Sequence, residues 1–288
     1  MRLVAFGASD GPRVGAIVDN GVIDLTQADP SAPRTIEAAI REDRLGEFAA
    51  IAAKASRDNL LKYDDLDFDL PIANPGKILC LGLNYMDHVA EGPFSKQDFP
   101  AIFMRCRTSL VPHGKPIIRP LQSETMDYEA ELAVIIGKTS RHLTKENALS
   151  AVAGYSCFND GSVREYQRHT VQWTMGKNFD QTGPFGPVFV TPDELPEAAD
   201  GLKIECRLNG QTVQSSTTDM MIFKLVETLV YITEGLTLEP GDVVMMGTPS
   251  GVGHARKPQL WMRDGDTVEI EIEGIGVLSN PVKDDVAG

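Results

Sequence analysis

The chain has 288 residues, 42% of them hydrophobic, enough for one large buried core that removes about three-quarters of the unfolded surface from water. A formal net charge of −14 and a pI near 4.8 argue against nucleic acid and anionic membrane as partners, since neither is drawn to such a field. An anionic substrate must therefore be met by local positive groups or a metal inside a pocket.

The opening Met1-Arg2-Leu3-Val4-Ala5-Phe6-Gly7 lacks a long apolar run before a small-residue cleavage site, and no stretch of about 18 apolar residues follows. A soluble, cytoplasmic protein is expected. Leu3 to Phe6, Val14 to Val18 and Val22 to Leu25 read as strands, with a tight hairpin at Asp19-Asn20-Gly21. Ile36 to Ala55 has helical spacing through Ile36, Ile40, Leu45, Phe48 and Ile51. An acidic stretch, Asp64 to Asp69, then runs into Pro71 and Asn74-Pro75-Gly76, which sets a boundary between a small N-terminal α+β domain at 1–70 and a larger one at 71–288.

From Lys77 strands dominate: Ile78 to Leu83, Ala101 to Met104, Leu132 to Ile136, Ala153 to Phe158, Val188 to Val190, Ile204 to Leu208, Val243 to Met246 and Val268 to Ile272. Helices are fewer here, most clearly at Thr144 to Ala151, Val163 to His169 and Met221 to Thr233. This pattern predicts a mixed α/β, β-rich chain with a rolled or β-barrel-like core, and not a doubly wound parallel sheet. Cys80, Cys106, Cys157 and Cys206 are scattered without a Cys-x-x-Cys pair and read as reduced core residues.

Glu129 and Glu131 alternate in the apolar run Tyr128 to Ile136, so both project from one face of a strand. Asp160 closes a second run, Tyr155 to Asp160. Three carboxylates without nearby Cys or His suit a hard cation, Mg²⁺ first, with Mn²⁺ or Ca²⁺ as alternatives. A half-exposed strand with a solvated acidic face fits the same alternation. After Asp160, Ser162 and Glu165 have capping-box spacing, and Arg164 and Gln167 share a helical face toward the carboxylate; an Asp160–Arg164 surface pair is the plainer reading.

In Asn84-Tyr85-Met86-Asp87-His88-Val89-Ala90-Glu91, a helix would let Glu91 orient the His88 ring and raise its basicity, although such a pair is often only a surface contact. Lys177, in Met175-Gly176-Lys177-Asn178-Phe179-Asp180, can hold an anionic oxygen or simply snorkel to the surface. Gly247-Thr248-Pro249-Ser250-Gly251-Val252-Gly253 lacks the Lys-Ser/Thr ending of a phosphate loop, and suits close backbone approach to a small carboxylate.

Together these segments, over about Lys77 to Val282, resemble the fumarylacetoacetate hydrolase superfamily. The likeness rests on the Asn84 to Glu91 box, the Glu129/Glu131 strand, the Asn159 to Gln167 box, Gly176 to Asp180 and the Gly247 to Gly253 turn, all in the family's order. It implies that Glu129, Glu131 and Asp160 hold the metal and that His88 with Glu91 activates water. Lys177 would stabilise negative charge, and Arg164, Gln167 and Thr248 would hold the substrate. It also implies a homodimer and a small anionic 2-oxo acid substrate. Gly161 and Asn178 depart from the common family residues and are expected to tune the pocket.

The first expectation for activity is hydrolytic carbon–carbon cleavage of an acylpyruvate-type 2,4-dioxo acid, such as fumarylpyruvate or a related product of aromatic degradation, to pyruvate and a carboxylate. The alternatives are a decarboxylase of oxaloacetate-like acids or a hydroxymuconate-type isomerase, in which His88 and Glu91 shuttle protons. A non-catalytic small-molecule binder is the third.

Overall fold

The computed structural model describes residues 1–19, 21–91 and 96–286. The fold is mixed α/β and strand-rich, built on two open sheets of ten and five strands with short helices around them. In the larger sheet Gly183–Val190, Val152–Asn159, Ala130–Ile136, Val243–Met245 and Ile78–Gly82 lie side by side in that order. The N-terminal strands continue it: Arg2–Ala8 pairs antiparallel with Gly183–Val190, in the register Leu3 to Phe189. The acidic stretch folds back on the same strand, with the Gly7 amide donating to the Asp67 carbonyl and the Asp69 amide to that of Ala5. Val18 pairs with Gly21, placing a turn where the hairpin was predicted; Asn20 itself lies outside the described residues.

Strand periodicity decides where the core sits. Along Ala130–Ile136 every residue is buried, and alternate side chains enter different cores. Leu132, Val134 and Ile136 pack with Ile204, Cys206, Ile270 and Leu278 of the five-stranded sheet. Ala133 and Ile135 face the other way, into a cluster with Ile36, Ile40 and Phe48 of the N-terminal helices. Each fully buried aliphatic side chain contributes about 1.5–3 kcal/mol, so a strand covered on both faces is among the firmest places to mount a functional group.

Several local expectations need correction. The helix expected over 36–55 is two helices, Ile36–Arg41 and Glu47–Lys54, parted where Asp43 takes φ 55. The five-residue step from Ile40 to Leu45 falls at this break. At 144–151 only a short 3₁₀ turn, Ala148–Ala151, forms, whereas Leu225–Gly235 is a true helix. The capping box is not made: Ser162 donates its hydroxyl to the Asp160 carbonyl, and the short helix Arg164–Gln167 starts without a side-chain cap. Cys80, Cys157 and Cys206 are buried, but Cys106 is exposed.

Candidate active site

Topology brings the chemistry to one end of the larger sheet's central strands. Val243–Met245 runs parallel to Ile78–Gly82, so the chain leaves both strands at the same end, one toward the Gly247 to Gly253 turn and the other toward the helix Met86–Glu91. Ala130–Ile136 is antiparallel to Val243–Met245 and therefore begins at that end. Val152–Asn159 is antiparallel in turn, with Phe158 opposite Glu131 and Asn159 opposite Ala130, and it finishes there with Asp160. Leu83, at φ 56, makes the sharp turn out of its strand; such a non-glycine conformation costs of order 1–3 kcal/mol and is common beside functional sites.

Ligand oxygens of Glu129, Glu131 and Asp160 all lie within 4.8 Å of one another, and the residues are 5%, 1% and 0% exposed. The half-exposed strand is thereby excluded. Lys177 Nζ donates to Glu129 Oε2 at 2.7 Å and to Asp160 Oδ2 at 2.5 Å. Arg164 pairs with Glu129 Oε1 at 2.6 Å and with Asp127 Oδ2 at 2.8 Å, and donates to Gln167 Oε1 at 3.0 Å. Arg105 donates to Asp160 Oδ1 at 2.5 Å, to Thr182 Oγ1 at 3.0 Å and to Ser109 Oγ at 3.1 Å. The Asp160–Arg164 surface pair is not the arrangement found; both residues are buried and partner other groups.

These contacts split the carboxylates electrostatically. Burial pushes Glu129 up, but Lys177 and Arg164 outweigh it and its carboxyl titrates lower, at about 2. Burial and the neighbouring Asp160 and Glu129 carboxylates hold Glu131 well above the usual range. Glu131 accepts from the Gly247 amide at 2.9 Å and makes no ion pair among the described residues. Four buried carboxylates, Asp127 included, thus face the three buried cations Arg105, Arg164 and Lys177, so that full ionisation leaves one negative charge, that of Glu131, without a cation of the protein. An all-oxygen donor set with surplus negative charge fits a hard divalent cation held by Glu129, Glu131 and Asp160.

The helix Met86–Glu91 brings His88 Nδ1 to 3.2 Å from Glu91 Oε2. Since an ionised carboxylate only accepts, Nδ1 carries the hydrogen and Nε2 is free to take a proton. Glu91 is fixed from its other side by the Gly251 amide at 2.7 Å, and Asp87 accepts from the Ser250 hydroxyl at 2.7 Å. Gly247, at φ 86, sits so close that a Cβ would be 2.7 Å from Asn84 Cβ, and this contact lets the two segments pack together. His88, Glu91, Glu129, Glu131, Arg164, Gln167, Lys177 and Thr248 line one cavity, with Phe103 and Trp173 as an aromatic wall.

The fumarylacetoacetate (FAA) hydrolase C-terminal family matches residues 77–283. This chain belongs to that family. Among its relatives, oxaloacetate tautomerase fahd2, mitochondrial, of Xenopus laevis is 40% identical over 98% of this chain and 90% of its own. A fumarylacetoacetate hydrolase from psychrophilic Exiguobacterium antarcticum has the same fold at TM-score 0.85 and 34% identity, covering 99% of this chain and 100% of that one. The maleylpyruvate hydrolase of Sphingobium sp. SYK-6 matches at TM-score 0.80 and 26% identity, again over 99% and 100%.

Within this family framework some sequence expectations change. The amides of the glycine-rich turn do not wait for a small carboxylate: Gly247, Gly251, Gly253 and His254 donate to Glu131, Glu91 and Asp127. Thr248 Oγ1 accepts from Gln214 Nε2 at 2.8 Å, which leaves its own hydroxyl hydrogen available as a donor. Gly161 and Asn178 do not line the cavity. A Cβ on Gly161 would stand 2.0 Å from the Thr182 carbonyl oxygen, and Asn178 ties Lys177's helix to Met104 and Cys106. Arg105, Asp127 and Gln214 escaped the sequence reading; Asp127, two residues before Glu129, carried the same alternation and was legible in principle.

Proposed function

We propose that the protein catalyses keto–enol tautomerisation of a small 2-oxo acid of the oxaloacetate kind. The observation that carries this reading is the His88–Glu91 pair facing the buried carboxylate cluster across one cavity, a base beside a site able to polarise a carbonyl. The 40% identity to an oxaloacetate tautomerase over nearly the whole chain favours a proton shuttle over water activation. A divalent cation, Mg²⁺ or alternatively Mn²⁺ or Ca²⁺, at Glu129, Glu131 and Asp160 would supply Lewis acidity toward the 2-oxo oxygen. His88 Nε2 removes a proton from the carbon beside the carbonyl, the C–H electron pair becomes the new double bond as the carbonyl π pair moves onto the 2-oxo oxygen, and the His88 imidazolium returns its proton to that oxygen. Lys177 has three ammonium hydrogens and two carboxylate partners, so the third is left to meet the charge that develops on that oxygen. Arg164, Gln167 and Thr248 line the cavity and orient the acid.

The test is the relaxation of oxaloacetate between enol and keto forms, followed by ultraviolet absorbance. Mg²⁺-loaded protein should accelerate it beyond free Mg²⁺, and EDTA should return the rate to the uncatalysed value. An unchanged relaxation rate overturns the reading.

Hydrolysis of an acylpyruvate is the second reading, favoured by the shared fold with two hydrolases. There His88 would deprotonate water, and reaction in H₂¹⁸O would place one heavy oxygen in the released carboxylate. Tautomerisation places none in any new carboxylate, and a decarboxylase would instead release CO₂. A homodimer built through the large β region belongs to the same proposal, and sedimentation at micromolar concentration tests it. Among the described residues no helix is long and apolar enough to cross a membrane.

A further inference from the structure

The short helix Arg164–Gln167 and its C-terminal residue Arg168 place two guanidinium groups four residues apart, on one face, and both line the cavity. They are used differently. Arg164 is buried and already paired with Asp127, Glu129 and Gln167. Arg168 is exposed at the cavity rim and makes no ion pair or side-chain hydrogen bond among the described residues. Two like charges on one helical face repel, and among the described residues no carboxylate is paired with the outer one.

His254 also lines the cavity. Its Nδ1 lies 3.3 Å from Gln259 Nε2, which also donates to the His254 carbonyl at 3.1 Å; with the amide donating, Nδ1 accepts and Nε2 carries the hydrogen. Burial, with Arg168 and Arg164 nearby, lowers the His254 pKa and keeps the ring neutral at neutral pH. A planar fork and a neutral N–H donor, neither with a side-chain acceptor among the described residues, suit a carboxylate.

We propose that Arg168 and His254 form an anion subsite at the cavity rim that takes the distal carboxylate of a dicarboxylic 2-oxo acid, while the buried floor takes the 2-oxo acid end. This rests on the proposed activity only for the identity of the reacting end. The subsite makes Arg168 a specificity residue: it discriminates substrates by the second carboxylate and leaves the proton transfer itself to His88.

The experiment separates binding from turnover. Malate and lactate, non-reacting 2-hydroxy acids with and without a distal carboxylate, are titrated calorimetrically into Mg²⁺-loaded wild type, Arg168→Met and Arg168→Lys. Wild type should prefer malate, Arg168→Met should lose roughly tenfold or more in malate affinity with lactate unchanged, and Arg168→Lys should recover part of it. In parallel, KM for oxaloacetate should rise in Arg168→Met with kcat little changed, while solvent-deuterium exchange into pyruvate stays at its wild-type rate. If neither 2-oxo acid reacts but malate binding still depends on Arg168, the proposed activity fails and the subsite stands. Equal wild-type affinity for malate and lactate, or an equal loss of both in Arg168→Met, overturns the subsite.

Discussion

The floor and the rim of the cavity are built on opposite principles. On the floor, Glu129, Glu131 and Asp160 extend from central strands buried on both faces, and Arg105, Arg164 and Lys177 close most of their charge within 3 Å. At the rim, His88, Glu91 and Arg168 sit on helices of six and four residues or just beyond, joined to the rest by single hydrogen bonds or none. Charges on the floor are structural as well as chemical, whereas rim groups can change with little consequence for the fold. Removing a floor group should therefore damage stability and activity together, and removing a rim group should damage activity alone.

Asp160→Ala is the severest test of that contrast. It leaves Arg105 and Lys177 each short of a buried carboxylate, and a buried ion pair broken from one side costs about 3–5 kcal/mol. Urea unfolding should show this loss, and calorimetry should show Mg²⁺ affinity falling with it. Wild-type stability in Asp160→Ala would mean that the floor is more hydrated than its burial indicates.

At the rim, His88→Ala and Glu91→Ala should each lower kcat by roughly 10²–10⁴, the usual range for general acid–base catalysis, with metal affinity retained. The double variant should be little worse than either, because Glu91 acts through His88 at 3.2 Å. Their unfolding free energies should stay within about 1 kcal/mol of wild type. Full activity in both variants would leave carbonyl polarisation on the floor as the main catalytic effect.

Glu131 sharpens the comparison through pH. Its folded pKa is raised above the ordinary 4.5 by burial and by Asp160 and Glu129. In metal-free protein the stability associated with its protonated form is fully present below the ordinary value and is lost as pH rises through the raised one. Saturating Mg²⁺ should flatten that slope, and binding should release about one proton, measurable by calorimetry in buffers of different ionisation enthalpy. Glu131→Gln should abolish both the slope and the proton release. A slope that survives in Glu131→Gln assigns the titration to another group.

How far the sequence revealed each region follows from the range of the contacts. Glu129 and Glu131 were visible because a strand repeats every two residues, and His88 with Glu91 because a helix returns after three to four. Their cationic partners were hidden. Arg105 meets Asp160 across 55 residues and Arg164 meets Asp127 across 37, and no local periodicity encodes such pairings. Short strands were lost for a similar reason: Met126–Asp127 and Ile117–Arg119 offer two and three residues, too few for alternation to register. Gly276–Asp284 is longer, but Asn280 and Pro281 in its middle read as a turn; its central pairing with Thr267–Ile272 overrides that local signal.

The smallest predicted effect concerns Asn178, whose family-atypical identity suggested a role in the pocket. The side chain instead spans three backbone groups, accepting from the Cys106 amide and donating to the Met104 and Thr174 carbonyls, the latter two at 3.2 and 2.8 Å. It anchors the helix that carries Lys177 to the edge strand Ala101–Met104 without reaching the cavity. Serine has the polarity but not the length to bridge both, so Asn178→Ser should cost about 0.5–1.5 kcal/mol, the net value of a hydrogen bond or two in a partly exposed place. Because Lys177 remains held by Glu129 and Asp160, kcat/KM should stay within about twofold of wild type. A large KM change with unaltered stability would place Asn178 functionally in the pocket and show that the floor extends further toward that edge strand than the cavity walls indicate.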